Sequence, residues 1–135
     1  MKYLCLGYHD ETMFESMSPA ERDAFTEESL AYGKTLQSGG HILYEQALQS
    51  SANAATLRFG NGSLSVTDGP FAETKEQLGG IMLLEANDLN DAIRLLSNMP
   101  CMRLGGCLEI RPINEEIGEG IRGEAAVQHS LAAAR

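Results

Sequence analysis

The order of strand-like and helix-like segments constrains the fold of this chain more than any other feature. Residues 2–8 alternate as a strand that is apolar on both faces, which favours a central place in a sheet. Ser18 and Pro19, with Glu21 three residues after the serine, form a capping box that predicts a helix ending at Gly39. The remaining predicted segments are strands at 41–48, 56–59, 63–67, 81–84 and 107–111 and a second helix at 89–98, capped by Asp88.

This order predicts a ferredoxin-like α+β domain, in which an antiparallel sheet carries two helices on one face. The turn signal Gly60-Asn61-Gly62 adds a β-hairpin. Because both helices belong to crossover connections on the same side, the other face of the sheet needs a cover, and a second identical subunit is the simplest one. We therefore expect a homodimer. The domain is expected to span residues 1–113, and residues 114–135 form a flexible tail or a short helix.

Length, charge and cysteine content exclude several classes of function. The 135 residues suit a single domain, and a net charge of -9 disfavours nucleic acid as a partner. Residues 81–84 are the longest apolar stretch, too short for a membrane span, and the N-terminus lacks a secretory signal pattern, so we expect a cytoplasmic protein. Cys5, Cys101 and Cys107 show no close pair and are interpreted as reduced thiols. No phosphate-binding glycine loop or metal-ligand spacing is present, so we expect no cofactor.

Charged side chains crowd the segment that joins the hairpin to the next strand. Asp68, Glu73, Lys75 and Glu76 lie on this segment, and Asp68 opens a turn with Gly69-Pro70. Such a cluster is typical either of a structural turn, whose carboxylate accepts backbone hydrogen bonds, or of a polar site on a loop. In the second interpretation Asp68 and Glu73 are the candidate catalytic acid and base, and Lys75 is a candidate ligand-binding residue.

Three further residues are candidates for binding a ligand, each with a structural alternative. His9 precedes Asp10-Glu11 and either moves protons with a carboxylate or is an exposed loop histidine. Tyr8 offers its hydroxyl to a cleft or packs in the core or an interface. Arg58 binds an anionic ligand or pairs with a surface acid.

The run DGPFAETKEQLGG, from Asp68 to Gly80, resembles the signature of the DGPF family, a branch of the YCII-related proteins. The resemblance extends over about residues 1–113 and implies a dimeric α/β-barrel, in which two ferredoxin-like sheets face each other. Some YCII-type relatives are proposed to use a His/Asp acid–base pair with the histidine on the first helix. The matching position here is Ser29, so that pair is incomplete in this chain. Further matching positions are Lys2, Tyr3, Tyr8, Asp10, Glu11, Ala47, Leu48, residues 55–58, Asp88, Leu89, Ala92, Pro100 and residues 109–112.

Two functions from different classes stay open. One is a non-catalytic, dimeric small-molecule-binding or regulatory module. Genes of this family often adjoin those of alternative sigma factors, so the resemblance implies a sigma-factor-linked protein partner for such a module. The alternative is a small cofactor-independent enzyme of the acid–base isomerase, lyase or dehalogenase type, acting on a small polar or aromatic metabolite. The missing histidine at Ser29 favours the binding module.

Overall fold

The computed structural model describes residues 1–117. The predicted tail at 114–135 therefore lies almost wholly outside the described residues and stays a prediction. The elements are β1 (Lys2–His9), α1 (Glu11–Ser16), α2 (Pro19–Ser38), β2 (Ile42–Ala47), β3 (Ala55–Gly60), β4 (Ser63–Asp68), β5 (Gln77–Glu85), α3 (Leu89–Leu96) and β6 (Cys107–Pro112), with 3₁₀ turns at Ser51–Asn53 and Pro100–Leu104.

The main sheet has four strands in the order β2-β5-β1-β6, and every neighbouring pair is antiparallel. Strands β3 and β4 form a separate two-stranded sheet. This order, with a helix in each crossover, confirms the predicted ferredoxin-like plan with an added hairpin. The short helix α1 was not predicted, because six residues give too little periodicity for a sequence pattern.

Local hydrogen bonds fix the element boundaries that the sequence predicted. The Ser18 hydroxyl accepts a hydrogen bond from the Glu21 amide at 3.1 Å, and α2 begins at Pro19, directly after this serine. The Asp88 carboxylate caps α3 in the same way, accepting from the Asp91 amide at 2.8 Å. In the hairpin turn, Asn61 and Gly62 have φ values of 51° and 78°, the left-handed backbone of the tight turn that an Asn-Gly pair favours.

The core lies between one face of the main sheet and the helices α2 and α3. Tyr3, Cys5, Met82 and Leu84 on the sheet form one buried cluster with side chains of both helices. The Tyr32 hydroxyl of α2 donates to the Leu95 carbonyl of α3 at 2.6 Å and ties the two helices together. The helical members of the cluster are Leu36, Ala92, Leu95 and Leu96.

The opposite face of the sheet, called the open face here, has a central apolar group. Leu4 pairs with Leu83 and Leu6 pairs with Ile81, so the four side chains point to the same side. All four are only partly buried. Within residues 1–117, no helix has both the length and the apolar content needed to cross a membrane.

Candidate functional site

A cavity of about 670 Å³ lies between the sheet and the helices. Its floor is formed where Gly7 of β1 faces Gly80 of β5, which in turn faces Ala47 of β2. Side chains at these positions point towards the helices, as those of Tyr3 and Cys5 do. Because two glycines and an alanine have almost no side-chain volume, the space between the sheet and the helices is not filled at these positions. The unfilled space is the cavity.

The walls of the cavity are mainly apolar. Helix α1, the first half of α2 and the 3₁₀ turn at Pro100–Leu104 contribute them, and Ser29 is a polar residue on α2 within this lining. The polar residues of the lining are Tyr8, His9, Asp10, Ser16, Ser29, Glu45, Gln46, Lys75 and Glu76. A mostly apolar hollow that also carries a set of polar groups is the usual form of a small-molecule site. The apolar lining residues include Met13, Phe14, Met17, Phe25, Met82, Leu96, Met99, Leu104 and Leu108.

A carboxylate, that of Glu45, enters this cavity because β2 contains a bulge. Ile42 pairs with Leu84 and Tyr44 pairs with Leu83, so Leu43 between them is the extra residue. The bulge reverses the alternation and sets Glu45 opposite Met82, on the face towards the helices. A β-carbon added to Gly33 of α2 would lie 3.4 Å from Glu45 Oε2, so the carboxylate reaches across to that helix. Glu45 is exposed as a whole residue, yet partial burial of its carboxyl group raises its pKa.

We expect Glu45→Gln to stabilise the protein at neutral pH but not in acid. Since the folded-state pKa is raised, the folded protein holds this proton more tightly than the unfolded chain does. The contribution of Glu45 to stability is therefore fully present below the unfolded-state value of about 4.5 and is lost as pH rises through the folded-state pKa. Urea unfolding of both proteins at about pH 4 and pH 8 measures the difference. Glu27→Gln, on the exposed surface of α2, controls for the loss of one negative charge. If Glu45→Gln raised the free energy of unfolding equally at both pH values, the expectation would be contradicted.

His9 lies at the rim of the cavity against Gly79, the bulge residue of β5. A β-carbon at Gly79 would lie 2.0 Å from His9 Cε1, so the imidazole occupies the space of the missing side chain. The neighbouring carboxylates are engaged elsewhere. Asp10 accepts bonds from the Thr12 amide and hydroxyl at 3.0 and 2.7 Å, which lower its pKa.

The Glu11 carboxylate is also bound by groups other than His9. Its carboxylate accepts a bond from the Ser51 amide at 2.8 Å and further bonds from the Ser50 and Ser51 hydroxyls. The Ser51 amide bond is the main cause that lowers the pKa of Glu11. Asp10 and Glu11 thus cap α1 and tie it to the Ser51–Asn53 turn, and they remain ionised near neutral pH.

The predicted site residues fall into two groups. Tyr8, His9 and Lys75 line the large cavity, and Tyr8 also lines a second cavity of about 570 Å³ beside the loop after β4. Asp68 and Glu73 are exposed and line neither cavity, so their catalytic assignment stays a prediction.

Arg58 supports the loop that follows β4. Its Nη2 donates to the Phe71 carbonyl at 3.1 Å, and its guanidinium lies 5.1 Å from the centre of the Phe71 ring. The backbone on either side is fastened as well, since the Thr56 hydroxyl donates to the Gly69 carbonyl at 2.9 Å. These contacts give Arg58 a structural use in the described chain.

Two of the thiols that line the cavity, those of Cys5 and Cys101, are poor nucleophiles. Burial raises the pKa of Cys5 to about 11 and also raises that of Cys101, so both stay protonated at neutral pH. All three cysteines are free, as expected. Among residues 1–117, no group of three or more His, Cys, Asp or Glu side chains is arranged to hold a metal ion.

Glu45 and the glycine floor were missed from the sequence. Glycine inside a strand often marks a close approach of a ligand or of another backbone, and Gly7 and Gly80 carry that signal. Glu45 carries a weaker one, because only the bulge at Leu43 decides which face it occupies. Ser29, noted only as the place of a missing histidine, does line the cavity.

Comparison with known proteins gives a family match, a relative in sequence and a likeness to a solved structure. Residues 1–117 match the family described as the YCII-related domain. An uncharacterised protein of Rhizobium meliloti (strain 1021) is 35% identical over 116 residues, which cover 84% of this chain and 92% of that protein. A solved structure of 5-chloro-2-hydroxyhydroquinone dehydrochlorinase from Burkholderia phenoliruptrix AC1100, in complex with 2,5-dihydroxybenzoquinone, is 18% identical. It has a TM-score of 0.45 and covers 81% of this chain and 91% of its own, a likeness too low to support any conclusion about activity.

Proposed function

The chain belongs to the YCII-related domain family, and from that premise we propose that it is a binding protein for a small, mainly apolar molecule. The observation that supports the proposal most is the cavity of about 670 Å³ with Glu45 in its lining. A volume of this size suits a ligand of one or two rings. Since the walls are apolar and the carboxylate accepts hydrogen bonds, the ligand class is an aromatic compound with a hydroxyl or amino donor.

Filling the cavity from either side should weaken binding without unfolding the protein. Gly80→Val adds a side chain to the floor, where its β-carbon would make ordinary contact, 3.5 Å from the Gln46 carbonyl oxygen. Ser29→Phe fills the cavity from α2. Ligand-observed NMR with a panel of monocyclic phenols and anilines detects binders, and we expect each variant to weaken the best binder by about tenfold or more.

Two matched variants control for the substitutions themselves. Gly60→Val makes the same change in the hairpin, where nothing lies within 4 Å of the added β-carbon. Thr26→Phe makes a large change on exposed surface of α2, outside the cavity lining. Both should bind as the wild type does. Equal binding by the filled and control variants, or no binding from the panel, would reject the cavity as the ligand site.

The proposal includes a homodimer and a regulatory role. The partly exposed apolar group on the open face supports a second copy as its cover. The run from Asp68 to Gly80 supports placing the chain in the DGPF branch of the family. A cytoplasmic location and a sigma-factor-linked partner belong to the proposal through the sequence and that resemblance alone.

Acid–base catalysis is the second candidate, and Glu45 is the observation that favours it. A carboxyl with a raised pKa in the lining of a mainly apolar cavity can take a proton from a bound molecule and return it. Deuterium uptake into a bound panel member in D₂O distinguishes the two functions, because only a protein that removes and returns a carbon-bound proton catalyses it. In the catalytic case Glu45→Gln would stop the uptake, whereas Asp68→Asn and Glu73→Gln test the assignment made from the sequence.

A further inference from the structure

Two side chains that can donate hydrogen bonds lie at the rim of the large cavity. Among the described residues that line this cavity, Lys75 is the only lysine or arginine and His9 is the only histidine. Within residues 1–117, neither side chain forms an ion pair or a hydrogen bond. Both side chains can therefore donate to a molecule in the cavity.

The electrostatic surroundings of Asp10 place the two side chains in one region of the rim. Hydrogen bonds from Thr12 are the main cause of the lowered pKa of Asp10, and the positive charges of Lys75 and His9 also contribute. Both cationic groups therefore lie within electrostatic reach of the same carboxylate. In the described structure Asp10 forms an ion pair with neither of them, so their donor groups stay accessible.

The imidazole of His9 occupies the space that a side chain at Gly79 would fill. The three atoms nearest to a β-carbon built at Gly79 all belong to the His9 ring, at 2.0, 2.3 and 3.3 Å. Gly79 is not among the described glycines with a positive φ, so its backbone conformation does not require glycine. The imidazole does require it. Gly79 is therefore a positioning residue that lets His9 lie against β5 at the rim.

The rim and the Glu45 carboxylate belong to different levels of the sheet. Glu45 lies opposite Met82, and His9 lies over Gly79, three residues earlier on β5. At about 3.3 Å per residue, these positions are roughly 10 Å apart along the strand. One benzene ring with substituents at opposite positions and a hydrogen bond at each end spans a similar length.

We propose that the cavity binds an aromatic carboxylate whose ring carries a hydroxyl or amino group opposite the carboxylate. The inference rests on the proposed binding function and adds the anionic group of the ligand. The ligand carboxylate accepts hydrogen bonds from Lys75 and His9 at the rim, and the ring donor bonds to Glu45. The reverse orientation would place two carboxylates together, so charge selects a single orientation.

The charge of the protein limits the strength of this preference. A net charge of -9 repels an anion at long range, although salt screens that repulsion beyond about 8 Å at physiological ionic strength. The lining also includes the carboxylates of Asp10 and Glu76, which reduce the local positive potential. Charge-assisted hydrogen bonds from Lys75 and His9 are about twice as strong as neutral ones. We therefore expect a carboxylate to bind about tenfold more tightly than a neutral group of the same shape.

The compounds 4-hydroxybenzoate and 4-hydroxybenzamide, both members of the phenol panel, test this preference. They share the ring and the hydroxyl group and have nearly the same shape, but only 4-hydroxybenzoate is charged at neutral pH. Titration calorimetry on the wild-type protein should give a dissociation constant about tenfold lower for 4-hydroxybenzoate. Lys75→Met should remove most of that preference. The matched control is Lys34→Met, on the exposed surface of α2 outside the cavity lining, which should keep it.

A double-mutant cycle tests the role of Gly79. Gly79→Ala should displace the imidazole and reduce the preference for 4-hydroxybenzoate as much as His9→Ala does. In the His9→Ala background the added methyl group no longer meets the ring, so the double variant should have the preference of His9→Ala alone. Losses that add in the double variant would show that Gly79 does not act through His9 and would overturn its positioning role.

The outcomes separate this inference from the proposed function. Suppose that 4-hydroxybenzamide and other neutral phenols bind at least as tightly as 4-hydroxybenzoate, and that Gly80→Val weakens all of them. The carboxylate would then be rejected while the cavity remained the ligand site. A preference for 4-hydroxybenzoate that survives in Lys75→Met would also overturn the inference. Failure of every panel member to bind, with or without a carboxylate, would reject both the inference and the proposed function.

Discussion

Replacing Leu84 with alanine is expected to lower the free energy of unfolding by about 2–5 kcal/mol. Leu84 is 0% exposed and pairs with Tyr3 on one side and Ile42 on the other, in the centre of the buried cluster. Its neighbours belong to three strands and two helices, which cannot all move to fill the space that the side chain leaves. Chemical denaturation followed by circular dichroism measures the change.

Leu57→Ala is the matched control for this substitution. Leu57 is also a leucine on a strand, but it is 64% exposed in the hairpin. Under conditions where the protein is monomeric, the same change should cost less than about 1 kcal/mol there. A similar loss at both positions would mean that the core is not where the buried cluster places it.

Gly106→Ala is expected to destabilise the protein by about 1–3 kcal/mol and to disturb the cavity. An added β-carbon would lie 2.7 Å from the Cys101 carbonyl oxygen, closer than such atoms approach. Because that oxygen is a backbone atom and accepts the Gly106 amide at 2.9 Å, the clash cannot be relieved by turning a side chain. The 3₁₀ turn must shift instead, and its Cys101 and Leu104 line the cavity.

Gly60→Ala separates this clash from the general effect of adding a methyl group. Nothing lies within 4 Å of the β-carbon at Gly60, so the change should be neutral or slightly stabilising. Thermal unfolding and binding of the panel compound are measured on both variants. Wild-type stability and binding in Gly106→Ala would show that the turn yields easily and that its shape does not matter to the site.

The elements that were predicted correctly are those whose boundaries depend on interactions between residues close together in the sequence. Ser18 and Asp88 each bond to an amide three residues away, and the turn at Asn61-Gly62 needs only two left-handed residues. These interactions require no other part of the chain, so the amino acids at those positions are sufficient to predict them. The strand order followed because two crossover helices permit few arrangements.

The cavity and Glu45 were not predicted, because the residues that form the cavity are brought together by pairings distant in sequence. Tyr8, His9 and Lys75 do line the cavity, while the acidic residues Asp68 and Glu73 lie outside it. The dense charge pattern of the loop was the strongest signal in the sequence. In the described structure that segment is held by Arg58 and by Gln77, whose Nε2 donates to the Ala72 and Thr74 carbonyls at 3.0 Å.

The sequence by itself determined the two crossover helices α2 and α3, the hairpin and the ferredoxin-like order, because caps, turns and strand patterns act over a few residues. Only the tertiary structure decided that Gly7 meets Gly80 and that Leu43 bulges so that Glu45 turns inward. A one-residue change in strand pairing reverses which side chains face the helices, and pairing depends on contacts across the whole sheet. The cavity and its carboxylate therefore arise from pairing, which no local pattern in this chain specifies.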